Sequence, residues 1–270
     1  MEDKVMVRAV LLITGVLEAL ANEKQLGVSE LAARLGIHKS TVYRFLCSLK
    51  TLGYVRQNDD NEKYGLSFKI LDLAGRILSG IDVRQAARTV MERLSDETRE
   101  TVHLATLEQT DVIYIDKIDS SQPLRMHSYV GQKIPLHASA LGKVLLAWGP
   151  QDILKGVLEK GNLKRFTDTS ITDPAALKEE IDRIRAQGYA EDREESVPGV
   201  RCVAAPIRNR EGSVVAALSI SLPSQRLDDE KMGSLQKMVR EGALQISERM
   251  GFQAKDCCLL YTSPSPRDRS

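Results

Sequence analysis

The segment at residues 29–49 restricts the fold more than any other part of this chain. Its pattern predicts a short helix over residues 30–35, which Ser29 can cap, and a further helix that opens at Lys39. Gly36 lies between them, where a left-handed residue ends the first helix. Ala32 is small enough for close helix packing, and the apolar contacts come from Ile37, Val42 and Phe45. The pattern predicts a helix-turn-helix, with an ordinary helical hairpin as the alternative.

The charge on this segment is more informative than the charge of the chain. The whole chain carries a net charge of only +1, but residues 31–56 contain five basic and no acidic side chains. A local basic face favours contact with phosphates, although a solvated charged face has the same composition. In a recognition helix the first turns reach base edges and the flanks reach phosphates. The predicted DNA-contact residues are His38, Lys39, Ser40, Thr41, Tyr43 and Arg44.

Two short β-prone runs follow the second helix, at residues 54–56 and 63–66, around a polar tip. They predict a hairpin, which at this place in the chain is a wing. Residues 68–78 are helical in pattern and carry an apolar side that a partner subunit can cover. We therefore predict a winged helix-turn-helix domain over residues 1–67 and a helical linker over residues 68–81.

Residues 82–253 alternate between helices and strands, which predicts an α+β domain with an antiparallel sheet flanked by helices. The predicted helices cover residues 83–98, 139–148, 174–187 and 228–250. The predicted strands cover residues 102–107, 112–118, 124–129, 202–207 and 214–221.

One helix of this domain is a candidate anion site. Its first turn, at Ala140 and Leu141, offers free backbone N–H groups at the positive end of a helix dipole. Ser219 and Ser221 share one face of a strand and can either bind ligand oxygens or form a polar outer face; the residues alone favour the outer face. Cys202 is predicted to be a core residue. Asp192 lies in an acidic run that reads as a solvated loop.

Other function classes find little support in the sequence. Cys202 has no nucleophile motif, the histidines have no zinc spacing, and no glycine-rich phosphate loop is present, so we expect no enzyme, metal or cofactor. No apolar run approaches the roughly 20 residues that span a bilayer, and the first residues do not resemble a signal peptide. The four scattered cysteines suggest no disulfide framework, which indicates a reducing cytoplasm.

Several motifs together resemble one family. Residues 40–46 (STVYRFL) and 52–55 (LGYV) are similar to the DNA-binding domain of the IclR regulators. Residues 135–147 (PLHASALGKVLLA), 188–189 and 199–204 (GVRCVA) are similar to their effector domain, and the likeness covers residues 7–252. The resemblance implies a GAF-like effector-binding domain and homodimers that can pair into tetramers.

The resemblance also implies the ligand site. The matching effector-binding positions are Met126, Ile134, Ala140, Leu141, Asp192, Val200, Cys202, Ser219 and Ser221. Ala140 and Leu141 would hold a carboxylate, and Asp192, Cys202 and the serines would address keto and hydroxyl oxygens. An apolar wall would come from Met126, Ile134 and Val200.

Within the family, residues 50–55, 62–64, 103–104, 124–126 and 142–148 resemble repressors of pectin and hexuronate breakdown. That likeness implies a keto sugar acid such as 2-keto-3-deoxygluconate as effector and double-stranded operator DNA as partner. The alternatives are another small acid, such as glyoxylate or an aromatic acid, or an activator. A remote alternative is a GAF-like enzyme with an attached DNA module.

The last residues are different in kind. Residues 259–270 resemble the translation of sequencing-adapter DNA, and we set the whole tail, residues 254–270, apart from the fold.

Overall fold

The computed structural model describes residues 7–79, 82–123, 126–161 and 163–253. The chain forms two compact units, divided between residues 80 and 81. The predicted fold class, a helix-turn-helix unit followed by a unit with an antiparallel sheet, is confirmed. The tail at residues 254–270 lies outside the described residues.

The first unit is a winged helix-turn-helix. Its elements are α1 (Arg8–Asn22), α2 (Val28–Leu35), α3 (Lys39–Thr51), β1 (Val55–Gln57), β2 (Tyr64–Leu66) and α4 (Lys69–Ser79). Strands β1 and β2 pair antiparallel and form the predicted wing. The apolar faces of α1, α2 and α3 meet in one core around Val16, Leu31, Val42 and Leu46, each fully buried. Helix α4 lies within the stretch predicted as a linker.

The prediction that Ser29 caps α2 is wrong. The helix begins at Val28, and Gly27 occupies the capping position with its N–H donating to Glu30 Oε2 at 2.6 Å. The Glu30 carboxylate, one turn inside the helix, reaches back to the cap and satisfies the Gly27 N–H, which is the reciprocal bond of a capping box. The predicted end is correct, since Gly36 has φ of +64° and its N–H donates to the carbonyl of Ala32.

The second unit is built on a six-stranded antiparallel sheet in the order β5-β4-β3-β8-β7-β6. The strands are β3 (Thr101–Glu108), β4 (Asp111–Ile118), β5 (Lys133–Ile134), β6 (Ala190–Arg193), β7 (Val200–Arg208) and β8 (Val214–Pro223). The helices are α5 (Asp82–Thr98), α6 (Ala140–Trp148), α7 (Gln151–Lys160), α8 (Pro174–Gln187) and α9 (Asp229–Arg249). A short 3-10 helix, Ser224–Arg226, precedes α9.

Alternating residues send side chains to the two faces of this sheet. Leu104 and Leu218 pack in a core with α5 and α9. Ala105 and Ala217, each one residue along, pack in a second core with α6 and α8. The small side chains on the second face leave room between the sheet and the first turn of α6.

One prediction about this unit is wrong, and one helix was missed. Residues 126–129 form no strand, and the edge strand β5 begins at Lys133 instead; the other predicted positions, residues 124 and 125, lie outside the described residues. Helix α7 was not predicted, because residues 151–160 are mostly polar and only Leu154 is buried.

Candidate functional site

The exposed side of α3 carries the predicted DNA-contact residues. The helix buries Val42, Leu46 and Leu49 against the first unit's core, so that its opposite side faces outward. On that side His38, Lys39, Ser40, Tyr43 and Arg44 are exposed, and Thr41 is half-buried. Within residues 7–79, no carboxylate forms an ion pair with Lys39 or Arg44. Both cations therefore remain available for an external anion.

Ion pairs and hydrogen bonds hold the wing to the helices. Lys50 Nζ donates to Gln57 Oε1 at 2.9 Å, which joins the end of α3 to β1. Lys63 Nζ forms an ion pair with Glu30 Oε1 at 2.9 Å, which joins the wing to α2. The wing is thereby oriented relative to the exposed side of α3.

The second unit contains a cavity of about 240 Å³ between the sheet, the first turn of α6 and the segments before β5 and after β6. All nine positions carried over from the family resemblance line it. They are Met126, Ile134, Ala140, Leu141, Asp192, Val200, Cys202, Ser219 and Ser221. Sequence reasoning missed further lining residues, among which are Tyr114, Ser128, Gln132 and Ser196.

The sheet side of the cavity, here called its floor, carries polar residues that strand register brings together. Asp192 lies opposite Cys202, and Cys202 lies opposite Ser221, so the three form one row across β6, β7 and β8. Ser219, two residues from Ser221, lies opposite His103 on β3. Residues paired across neighbouring strands share a face, and this face is the one beneath α6.

The first turn of α6 faces the cavity and presents free N–H groups. Ser139 caps the helix, accepting from the Gly142 N–H at 3.1 Å and donating to the Pro135 carbonyl at 2.6 Å. The N–H groups of Ala140 and Leu141 have no partner within the helix, because they belong to its first turn. Gly142 is required, since a Cβ there would lie 2.3 Å from the carbonyl oxygen of Leu136.

Two predictions made from the residues alone are corrected, and a third is extended. Ser219 and Ser221 are only 1% and 3% exposed, so they do not form a polar outer face. Asp192 is on β6 and 2% exposed, so it is not in a solvated loop. Cys202 does pack against the second core, but it also lines the cavity.

Burial sets the protonation of the floor. The Asp192 carboxylate accepts from the Glu195 N–H at 2.7 Å, yet burial dominates and raises the pKa of Asp192 to about 7. Burial, followed by the charge of Asp192, raises the pKa of the Cys202 thiol far above its usual range. The thiol is therefore protonated and unsuited to nucleophilic attack.

The two floor serines differ in their partners. Ser221 Oγ lies 3.3 Å from His103 Nδ1, whereas the buried Ser219 Oγ has no hydrogen-bond partner among the described residues. Buried hydroxyls are rarely left unpaired, and one that points into a cavity indicates a ligand oxygen as its partner.

A buried ion pair supports the wall of the cavity. Lys143, on α6, is fully buried, and its Nζ lies 2.5 Å from Glu195 Oε1 and 3.6 Å from Glu180 Oε1. Glu195 follows β6 directly, in the segment that contributes Ser196 to the cavity. The pair therefore fastens α6 to this segment.

An exposed helix-turn-helix with a wing, on a chain that also holds a polar cavity beneath a helix N-terminus, is the architecture of a DNA-binding transcriptional regulator. Residues 13–59 match the model for the IclR helix-turn-helix domain, and residues 75–248 match that for the bacterial transcriptional regulator IclR C-terminal domain. The chain belongs to the IclR family, as the sequence motifs predicted.

Three known proteins show how close the likeness is. The chain is 44% identical to the HTH-type transcriptional regulator KdgR of Escherichia coli (strain K12), over 91% of this chain and 94% of that protein. It is 31% identical to Thermotoga maritima IclR, whose crystal structure it matches with a TM-score of 0.78 over 91% of this chain and 98% of that chain. An IclR homolog from Microbacterium hydrocarbonoxydans, complexed with 4-hydroxybenzoate, is 27% identical with a TM-score of 0.78 and coverage of 90% and 98%.

Other chemistries are not seen in the described residues. No group of three or more His, Cys, Asp or Glu side chains there is placed to hold a metal ion. Among the helices that the structure describes, none is long and apolar enough to cross a membrane.

Proposed function

We propose that this regulator is a repressor that binds operator DNA through α3 and changes its DNA affinity when a keto sugar acid occupies the cavity. The observation that carries the proposal is the pairing, in one cavity, of free α6 N–H groups with two buried serine hydroxyls. An anionic polyol matches both features. The likeness to KdgR supports 2-keto-3-deoxygluconate as the effector and genes of sugar-acid breakdown as the target.

Each part of such an effector has a matching group. The N–H groups of Ala140 and Leu141 would bind the carboxylate, where the helix dipole favours negative charge. Ser219 and Ser221 would bind keto and hydroxyl oxygens. Asp192 would add a further polar contact, while Met126, Ile134 and Val200 would form the apolar wall.

On the DNA side, Lys39 and Arg44 would contact bases or phosphates, and His38, Ser40, Thr41 and Tyr43 would complete the contact surface. A homodimer would place two copies of α3 on two half-sites. The exposed apolar side chains Phe68 and Leu71, at α4, support burial by a partner subunit. The site of action would be the cytoplasm.

The mechanism we propose is thermodynamic linkage. An effector that prefers one arrangement of the dimer changes operator affinity by the ratio of its affinities for the two arrangements. The same ratio must appear in reverse, as a change in effector affinity caused by operator DNA.

DNA binding is tested with the protein's own upstream DNA, by fluorescence anisotropy at fixed salt. Arg44→Ala should cost about 1–3 kcal/mol if Arg44 reads a base. Lys155→Ala, an exposed change on α7, is the matched control and should leave affinity unchanged. If Arg44→Ala and Lys39→Ala both bind DNA with wild-type affinity, α3 does not contact the DNA.

The effector is tested by calorimetric titration with 2-keto-3-deoxygluconate, glyoxylate and 4-hydroxybenzoate. The proposal requires binding of the sugar acid and a change in operator affinity when it binds. The structure in complex with 4-hydroxybenzoate makes an aromatic acid the second candidate. If only 4-hydroxybenzoate binds, the cavity remains the proposed effector site, and the effector is an aromatic acid in place of a sugar acid.

A further inference from the structure

A histidine behind the cavity joins its floor to its rim. His103 is fully buried on β3, and its ring stacks on the ring of Tyr114, with centroids 4.4 Å apart. Its Nδ1 lies 3.3 Å from Ser221 Oγ, and its Nε2 lies 2.8 Å from Ser128 Oγ. Tyr114, Ser221 and Ser128 all line the cavity. His103 therefore contacts three walls of the cavity from behind them.

The rim segment has a second connection to the same place. Lys117, the partner of His103 on β4, donates from Nζ to the Ser128 carbonyl at 2.6 Å. Two neighbouring side chains of the sheet thus hold both the hydroxyl and the carbonyl of Ser128. The segment between Met126 and β5 is fixed to the floor at this residue.

Burial keeps the His103 imidazole neutral. It lowers the pKa of His103 to about 3, and the nearby charge of Lys117 acts in the same direction, while Asp119 opposes it. A neutral imidazole has one nitrogen that donates and one that accepts. If Nδ1 donates to Ser221, Nε2 must accept from Ser128, and the reverse tautomer reverses both bonds. The two serine hydroxyls are therefore coupled through the ring.

We propose that His103 is a positioning residue of the effector cavity, which fixes whether Ser221 offers its proton or its lone pairs to the ligand. The inference rests on the proposed function, because it takes the cavity as the effector site. When Nδ1 donates, the Ser221 proton points away from the ring and can be donated to a keto or carboxylate oxygen, in competition with the neighbouring Cys202 sulfur. When Nδ1 accepts that proton, Ser221 presents only lone pairs and favours ligand hydroxyls. The tautomer of one buried ring thereby contributes to effector specificity.

The first experiment needs no effector. We would record ¹⁵N spectra of histidine-labelled protein and assign His103 by its loss in His103→Phe. The expected result is one protonated and one bare ring nitrogen on His103, unchanged between pH 8 and pH 5. Ser221→Ala and Ser128→Ala should each shift the His103 signals. Averaged tautomers, or titration of His103 between pH 8 and pH 5, would overturn the proposal.

The second experiment uses a matched pair of variants. Asn places its amide near the Nδ1 position and Gln places its amide near the Nε2 position. His103→Asn therefore keeps the bond to Ser221, and His103→Gln keeps only the bond to Ser128. Calorimetry with 2-keto-3-deoxygluconate should show affinity lowered about tenfold in His103→Gln and in His103→Phe, the size expected for a lost buried hydrogen bond. His103→Asn should stay within about threefold of wild type.

Stability separates this role from a purely structural one. Both amide variants lose one hydrogen bond, so their urea unfolding midpoints should be similar while their effector affinities differ. Equal affinities in the two variants would overturn the proposal. If wild-type protein binds no sugar acid, the proposed effector fails, and the ligand-free spectra alone decide the role of His103.

Discussion

The two floor serines allow a prediction in which identical substitutions have opposite effects on the free protein. Ser219→Ala and Ser221→Ala remove the same hydroxyl from the same strand, at positions 1% and 3% exposed. Only their partners differ. Ser219 Oγ has none among the described residues, and Ser221 Oγ lies beside His103 Nδ1.

The magnitudes follow from those partners. Removing Ser219 Oγ breaks no hydrogen bond and exposes no new unpaired group, so Ser219→Ala should leave the free energy of unfolding unchanged or raise it by up to about 1 kcal/mol. Removing Ser221 Oγ leaves the buried His103 Nδ1 without its partner, which should cost about 1–3 kcal/mol. Packing changes little, since each substitution deletes one atom.

Urea denaturation of the effector-free protein measures this difference, and calorimetry measures the binding. Under the proposed function, both variants should bind 2-keto-3-deoxygluconate less tightly, and the double variant about tenfold or more less tightly. Ser219→Ala would then trade function for stability, as residues at binding sites often do. Destabilisation by Ser219→Ala as large as that by Ser221→Ala would refute the reasoning, because it would show that the Ser219 hydroxyl has a protein partner.

Two further predictions concern charged groups near the cavity. Glu195→Gln should lower the free energy of unfolding by about 3 kcal/mol, because Glu180 is then the one ion-pair partner left to the buried Lys143 ammonium among the described residues. The control Asp182→Asn, in a solvent-exposed pair, should change it by less than about 1 kcal/mol. Equal urea midpoints for the two variants would contradict this prediction. The pKa of Asp192 is raised above its unfolded value of 3.8 to about 7, so its contribution to stability is complete below pH 4 and is lost as pH rises through 7. Asp192→Asn should therefore reduce the fall in unfolding free energy between pH 4 and pH 7 by up to about 4 kcal/mol. The same pH dependence in the variant and the wild type would contradict this role of Asp192.

The sequence predicted best those features that depend on neighbours along the chain. Gly36 ends α2 as expected, and the apolar spacing of Val42 and Leu46 correctly identified the buried side of α3. The cap at Ser29 was misplaced because the helix begins one residue earlier, at Val28, and Glu30 binds the N–H of Gly27, which the helical pattern does not show.

The first turn of α6, at Ala140 and Leu141, was identified from the residues alone, whereas the other predicted cavity positions came only from the family resemblance. Alternation along β8 shows that Ser219 and Ser221 share a face, but it does not show that α6 covers that face. The role of His103 was missed, because its contacts depend on β3 pairing with β8. No local signal marks that pairing, which joins residues 118 positions apart.

Because of the same long-range pairing, the two units can fold at different times during synthesis. The helix-turn-helix needs only contacts within the first 80 residues and can fold as soon as they emerge. The cavity needs β8, which ends at Pro223, because the sheet stays open between β3 and β7 until that strand arrives. At about 5–20 residues per second, the nascent chain carries the folded helix-turn-helix for roughly 7–29 seconds before the sheet beneath the cavity is complete. Under the proposed function, the DNA-binding unit is therefore complete before the effector cavity each time the chain is made.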